Sequence, residues 1–179
     1  MIAARLRPIM AGAAFFLAGA AAIIGTPTRS VRGSVDVRTL ASEVARESDH
    51  VTALELADWI RAGKPGLQVL DVRSAGEFDR YHIPTARSMP LETLVTTTFD
   101  PNATLVLYSE GGGHAAQAWV LLRALGYQHV FSLRGGLEEW LEDVMHPAAP
   151  TDLTRYFGGF ARKPGDAPLT VDALRRHGC

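Results

Sequence analysis

The sequence has almost no cysteine and almost no lysine. Its single cysteine is Cys179, so neither a disulfide within the chain nor a metal site built on several cysteines can form. Of the 18 basic residues only Lys64 and Lys163 are lysines, and the rest are arginine. Because arginine is so common here, the presence of an arginine is not by itself a sign of function.

The chain also lacks an excess of either charge. Its 18 basic and 19 acidic residues give a net charge of −1, which argues against a nucleic-acid or polyanion partner. A 47% hydrophobic content supports a core, and 21% charged residues do not suggest disorder. A length of 179 residues predicts one ordinary domain with appendages.

The N-terminal region carries an uncharged, apolar run over residues 9–25, preceded by Arg5 and Arg7. As a helix this run would be roughly 25 Å long, against a hydrocarbon core of about 30 Å. The small residues Ala18, Gly19 and Ala20 suit signal cleavage. Residues 1–25 are therefore predicted to be a signal peptide or an uncleaved membrane anchor. Either one exports the rest, which we expect in the periplasm or anchored in the inner membrane facing it.

Short apolar runs alternate with helical patterns over residues 51–146. Residues 26–50 form a linker with room for a short helix at 39–47, and Thr52 with Glu55 predicts a capping box at the start of a helix over 51–62. Strands are predicted at 67–73, 86–89, 104–108 and 130–133, and helices or helical turns at 74–80, 91–95, 115–125 and 137–144. Such alternation predicts an α/β fold, a parallel sheet with helices on both faces.

The helical patterns also predict which side chains face the core. On the 115–125 helix these are Ala118, Leu122 and Leu125, with Gly126 as C-cap. On the 137–144 helix the inward set is Leu137, Trp140, Leu141 and Val144. His50, His129 and His146 show no metal-ligand spacing, so we interpret them as surface histidines or hydrogen-bonded core histidines, and we expect no metal.

A glycine-rich loop lies between the 104–108 strand and the 115–125 helix. Its residues are Ser109, Glu110, Gly111, Gly112, Gly113 and His114. Glycines let a backbone curl through positive φ, and amides at a helix N-terminus favour an anion. Ligands of parallel sheets bind at the carboxyl ends of the strands, which is where this loop lies. The loop is thus the predicted ligand site, although a turn without a ligand has the same composition.

Residues 51–146 resemble a rhodanese domain, the single-domain sulfurtransferase module. Four stretches carry the resemblance: DVRSAGEF at 71–78, His82-Ile83-Pro84 with Ala86, the six-residue loop at 109–114, and LRGG at 133–136 followed by Trp140. The loop length matches the sulfurtransferases, whereas the related phosphatases have one residue more. Two family glycines are replaced, by Tyr81 and Thr85.

The departure lies in the loop itself. The resemblance implies a cysteine that opens the loop, becomes a persulfide and passes its outer sulfur to an acceptor, but Ser109 occupies that position. Glu110 stands where a basic residue is common, and His114 replaces the closing arginine. Loop-cysteine sulfur transfer is therefore predicted to be absent or negligible. Serine hydrolysis is disfavoured, because the strand–turn–helix motif around a hydrolase's nucleophilic serine has a glycine two residues before the serine, and this chain has Leu107 there.

The C-terminal tail, residues 147–179, holds an aromatic cluster at 154–160 that either docks on the domain or recognises a partner. Residues 161–168 have the composition of a flexible segment, and 171–176 could form a helical turn. Arg175 and Arg176 precede Cys179, and neighbouring cations favour a thiolate. A flexible tail of this length reaches roughly 30 Å, so Cys179 could meet the Ser109 loop. Alternatively, Cys179 could form an intermolecular disulfide.

The sequence thus predicts an exported rhodanese-like binding or interaction module that uses no cofactor. Its partner would be a protein or a small anionic or sulfur-containing ligand, with the membrane as a further partner if residues 9–25 are uncleaved. The alternative is a sulfurtransferase or thiol-redox protein that uses Cys179.

Overall fold

The structure is a computed structural model, which describes residues 36–176. The predicted signal or anchor, the first part of the linker and Cys179 lie outside these residues. Within residues 36–176, no helix combines the length and the apolar character that crossing a bilayer requires.

Five parallel strands form one sheet, in the spatial order β1-β5-β4-β2-β3. Their bounds are β1 His50–Val51, β2 Leu67–Asp71, β3 Arg87–Ser88, β4 Thr104–Tyr108 and β5 Val130–Leu133. The four predicted strands are confirmed, with β2 and β3 shorter than expected. The sequence did not predict β1, because two residues are too few for an alternating pattern.

Helices cover both faces of this sheet. They are α1 Val37–Ala45, α2 Ala53–Arg61, α3 Ala75–Arg80, α4 Leu91–Leu94, α5 Gly113–Ala124, α6 Gly136–Glu139, α7 Asp152–Tyr156 and α8 Val171–Arg176, with a π-helical segment over Trp140–Met145. The predicted capping box of α2 is confirmed. The Thr52 amide donates to Glu55 at 2.9 Å, and the Glu55 amide donates to Thr52 Oγ1 at 3.2 Å.

The sheet separates two apolar clusters. One cluster lies under α2 and the π-helical segment, and it includes all four side chains predicted to face inward there. The other lies under α5, where Ala115, Ala118, Trp119 and Leu122 are buried. The prediction for Leu125 was wrong, since this side chain is 43% exposed. The helix has ended by then, and Gly126 at φ +99° turns the chain away.

The aromatic part of the tail docks on the first cluster. Leu153 belongs to that cluster, and the ring of Phe157 lies 5.1 Å from that of Trp140. The Phe160 amide donates to the Met145 carbonyl at 2.8 Å. Docking is therefore what the structure shows for the aromatic residues, although Tyr156 remains exposed.

Candidate functional site

The loop predicted as the ligand site joins β4 to α5 at the carboxyl end of the sheet. Ser109 is buried, and its Oγ accepts a hydrogen bond from the Ala115 amide at 3.3 Å. This amide belongs to the first turn of α5, where no helical carbonyl is available as an acceptor. Gly112 precedes the helix at φ +85°. The Ser109 hydroxyl therefore satisfies the start of α5, as an N-cap side chain does.

The loop rests on the chain that follows β5. The Leu137 amide donates to the Ser109 carbonyl at 2.9 Å, and the Glu138 amide donates to the Glu110 carbonyl at 3.1 Å. Gly136, at φ +60°, lies so close that an added Cβ would stand 2.6 Å from the Gly112 nitrogen. The second glycine of the LRGG motif, Gly136, thus lets the chain after β5 pack directly against the loop. The sequence did not predict this role.

Arg73 is the charged centre of the site. Its side chain is 4% exposed, and it donates to the Asp71 carboxylate through Nε at 3.0 Å and through Nη2 at 2.7 Å. Nη1 donates to Glu110 at 2.9 Å, and Nη2 also donates to the Tyr81 carbonyl at 2.7 Å. Burial opposes the charge of Arg73, but the Asp71 and Glu110 carboxylates outweigh this effect and raise its pKa. The cation is therefore permanent and already shared between two carboxylates.

Glu77, four residues after Arg73, has a different partner. Its carboxylate accepts from the Ser74 hydroxyl at 2.5 Å and from the Ser74 amide at 3.0 Å, closing the start of α3. The same two hydrogen bonds lower the pKa of Glu77. Glu77 is therefore a capping residue that remains negative at neutral pH.

Tyr108, the last residue of β4, ties the loop to the turn at residues 81–85. Its hydroxyl accepts from the Ile83 amide at 3.1 Å. Burial, and then the nearby Asp71 carboxylate, raise the pKa of this phenol, so it stays neutral. Of the two residues in this turn where the resemblance implies a glycine, Tyr81 is extended at φ −166°. Thr85 has φ +68°, the left-handed region that β-branched residues avoid.

An open cleft of about 560 Å³ lies at the mouth of the loop. The charged and titratable groups that line it are Arg73, Glu77, Glu92, Glu110 and His114. Ser109 does not line it and lies beneath. Because Arg73 is already paired, three carboxylates dominate the cleft, and this arrangement opposes the binding of an anion.

The structure brings all six predicted loop residues together, whereas Cys179 lies outside the described residues. The start of α8 does come near the loop: Thr170, Val171 and Asp172 share a cavity of about 180 Å³ with Arg73 and Glu110. Within residues 36–176, no cluster of three or more metal-ligating side chains is present.

The predicted histidine environments are only partly correct. His50 pairs with Asp49 at 3.2 Å, and His129 is exposed. The prediction was wrong for His146, which is buried while neither ring nitrogen has a hydrogen-bond partner among the described residues.

A family model named rhodanese-like domain matches residues 52–143, a little over half of the chain. The chain belongs to the rhodanese-like domain family. This rhodanese-like domain is similar to the probable adenylyltransferase/sulfurtransferase MoeZ of Mycobacterium tuberculosis, with 29% identity over 109 residues, covering 58% of this chain and 27% of MoeZ. It is also similar to the thiosulfate sulfurtransferase of Pseudomonas aeruginosa, with 33% identity over 106 residues, covering 47% of this chain and 39% of that enzyme. The chain thus spans less than half the length of either relative.

Two solved structures are similar to the rhodanese-like domain. A crystal structure of a Bacillus halodurans protein is 28% identical with a TM-score of 0.50, and the match covers 57% of this chain and 78% of that protein. The solution structure of a rhodanese-like domain from an Anabaena protein is 27% identical with a TM-score of 0.49, covering 68% and 86%.

Proposed function

We propose that this rhodanese-like domain is an exported binding module that does not carry out loop-cysteine sulfur transfer. The observation that supports this proposal most strongly is the position of Ser109. Ser109 stands at the position where the resemblance to the sulfurtransferases implies a cysteine, and its hydroxyl is buried and accepts from the Ala115 amide. The Ser109 hydroxyl is therefore part of the loop's own hydrogen bonding.

Sulfur transfer is expected to be absent because the reaction needs a thiolate and Ser109 supplies a hydroxyl. In rhodanese sulfur transfer a thiolate attacks the sulfane sulfur of thiosulfate, which releases sulfite and leaves a persulfide on the enzyme. Cyanide then takes the outer sulfur as thiocyanate and returns the thiolate. A cysteine with a pKa near 8.5 supplies that thiolate. A serine hydroxyl ionises far less readily and carries no persulfide.

The charges of the cleft support the same proposal. Glu110 lies at the mouth of the loop, and its carboxylate accepts a hydrogen bond from Nη1 of Arg73. This nitrogen is therefore not available to bind thiosulfate. Glu77 and Glu92 add two further carboxylates to the cleft. An anionic donor would meet repulsion where a sulfurtransferase needs attraction. Of the predicted partners, a protein that inserts a neutral or basic side chain is thus favoured over a small anion.

Export remains part of this proposal. It rests on the apolar run at residues 9–25 behind Arg5 and Arg7, which suits a signal peptide or an anchor. Mass spectrometry of the protein isolated from a periplasmic and a membrane fraction distinguishes these two fates. A mature chain that begins after the apolar run indicates cleavage, and an intact chain in the membrane fraction indicates an anchor. An intact chain in the cytoplasmic fraction alone contradicts export.

The activity test compares thiosulfate:cyanide sulfur transfer in four full-length proteins: the parent, Ser109→Cys, Cys179→Ser and Ser132→Cys. Ser132 is a buried serine on β5, so its replacement adds a thiol outside the loop and serves as the matched control. We expect the parent, Cys179→Ser and Ser132→Cys to stay at background. Sulfur transfer gained in Ser109→Cys alone indicates that the loop is intact and lacks only a sulfur carrier. Background activity in all four proteins leaves binding as the only role of the loop.

The second candidate, sulfur transfer or thiol redox chemistry by Cys179, is favoured by one observation. The start of α8 shares a small cavity with Arg73 and Glu110, so the chain approaches the loop shortly before Cys179. Activity in the parent that disappears in Cys179→Ser would support this candidate and replace the first proposal. A non-reducing gel of the same two proteins shows whether Cys179 instead links two molecules.

A further inference from the structure

The end of the tail reaches the side of the glycine loop. Leu169 and Val171 are half-buried and pack against the first cluster, whereas Thr170 and Asp172 are exposed. Residues 170–172 line the cavity of about 180 Å³ from the tail, and its other walls are charged residues of the domain: Arg73, Glu77, Arg80 and Glu110. The cleft of about 560 Å³ shares three of these charged residues, but no tail residue lines it. The tail therefore covers one side of the site and leaves the other side open.

The preceding part of the tail is fixed to the domain through its backbone. The Phe160 amide donates to the Met145 carbonyl at 2.8 Å. Two residues later, the Arg162 amide donates to the Pro147 carbonyl, also at 2.8 Å. This part of the tail cannot leave the domain without breaking backbone hydrogen bonds.

Residues 163–168 separate the fixed part of the tail from its end. All six are exposed, and Gly165 has φ +89° with open space around it. The segment lines an open cavity of about 550 Å³ together with His146 of the domain, so it is not packed tightly against the domain. Among the described residues, every backbone hydrogen bond of residues 166–173 stays within the tail. Segments with few buried contacts and no backbone bonds to the rest of a protein open most easily.

We propose that residues 169–176 are a detachable strap that covers the Arg80 side of the glycine loop, with residues 163–168 as its hinge. Detachment exposes only the half-buried side chains of Leu169 and Val171 and leaves the fixed part of the tail in place. Because Glu110 lines both the open cleft and the cavity beneath the strap, a protein that binds the loop from this side displaces the strap. This last step rests on the proposed binding function.

The first test locates the strap with a nitroxide label on Cys179, the only cysteine of the chain. Cys179 is three residues beyond α8, so the label stays within about 20 Å of Asp172. In the full-length parent we expect the label to broaden the amide NMR signals of Arg73, Arg80 and Glu110. Val171→Asp places a charge against the first cluster and should lower the ratio of docked to detached strap about tenfold, which the loss of broadening measures.

Val120→Asp is the matched control, because Val120 is an exposed valine on α5, and it should keep the broadening. The amide signals of Phe160 and Arg162 should not move in Val171→Asp, since both residues precede the hinge. Absence of broadening in the parent would overturn the proposal, even if Val171→Asp fails to fold. Broadening that survives in both Val171→Asp and Leu169→Asp would overturn it as well.

The second test measures whether the strap covers the loop. A neutral, soluble gadolinium chelate speeds the relaxation of those amide protons that it can approach. We expect this relaxation to rise at Arg80 and Glu110 in Val171→Asp and to stay at the parent level in Val120→Asp. Neither test uses sulfur transfer, so failure of this proposal is distinguishable from failure of the proposed function. Unchanged relaxation in a Val171→Asp protein that has lost the broadening would show that the strap does not cover the loop and would overturn the proposal.

Discussion

The glycine loop and the docked tail differ in how completely their polar groups are satisfied. In the loop, the carbonyls of Ser109 and Glu110 have amide donors, and the buried Arg73 has three acceptors. In the tail, the contact with the domain leaves His146 without a hydrogen-bond partner among the described residues. The loop is therefore a complete structural unit with a serine, not a cysteine, at position 109. The tail is held on the domain by apolar side chains such as Leu153 and Phe157, and the buried imidazole of His146 beside it has no hydrogen-bond partner among the described residues.

This difference shows that loop shape and loop chemistry are separable. Gly136 packs closely against the loop, and the Leu137 and Glu138 amides donate to its carbonyls, without any contribution from a thiol. Only the side chains that point to the mouth, above all Glu110, distinguish this site electrostatically from one suited to an anion. We therefore expect the stability of the loop to be most sensitive to changes in its backbone packing, and that of the docked tail to the loss of an apolar side chain.

The largest effect is expected from Gly136→Ala. The added methyl would stand 2.5 Å from the Glu110 carbonyl oxygen and closer still to that of Ser109, at a φ that favours glycine. We expect a loss of about 3–5 kcal/mol in the free energy of unfolding, measured by urea denaturation. Gly76→Ala is the matched control, because nothing lies within 4 Å of its Cβ position on α3, and it should be neutral or slightly stabilising. An equal loss in both variants would contradict the close packing of the loop.

An intermediate effect is expected from Phe157→Ala, which breaks the anchor of the tail. The Phe157 ring packs edge-on against Trp140, so its removal should cost about 2–3 kcal/mol in the same measurement. The neighbouring Tyr156 is 59% exposed, and Tyr156→Ala should cost well under half as much. If both variants were as stable as the parent, the tail would not be part of the folded unit.

The smallest effect, and the only gain, is expected from Thr85→Gly. Thr85 is exposed and has φ +68°, so glycine relieves strain without removing a packed side chain. We expect a stabilisation of about 0.5–1 kcal/mol after the entropy cost of glycine is included. Thr93→Gly, within α4, should have the opposite sign, a loss of about 0.3 kcal/mol, because threonine is itself a poor helix former. A loss in Thr85→Gly would show that the turn does not hold Thr85 in this conformation.

The sequence predicted those parts of the site that depend on local spacing. The loop at 109–114 and the order of strands and helices follow from patterns of a few neighbouring residues. The ion pair between Arg73 and Glu110 could not be predicted in this way, because it joins residues 37 positions apart and depends on the sheet placing β2 beside β4. The orphaned His146 was missed for a similar reason. Its environment comes from Phe160, in the aromatic cluster that was expected to dock or to recognise a partner, and from Asp166, in a segment whose composition suggested flexibility.

The most direct test of the central claim uses the full-length Cys179→Ser protein, which contains no cysteine at all. It is incubated with thiosulfate and cyanide, thiocyanate is measured against a protein-free control, and the intact mass is recorded. The account predicts thiocyanate at the level of the control and a mass without added sulfur. Thiocyanate release above the control would show that sulfur transfer proceeds without a thiol and would contradict the account.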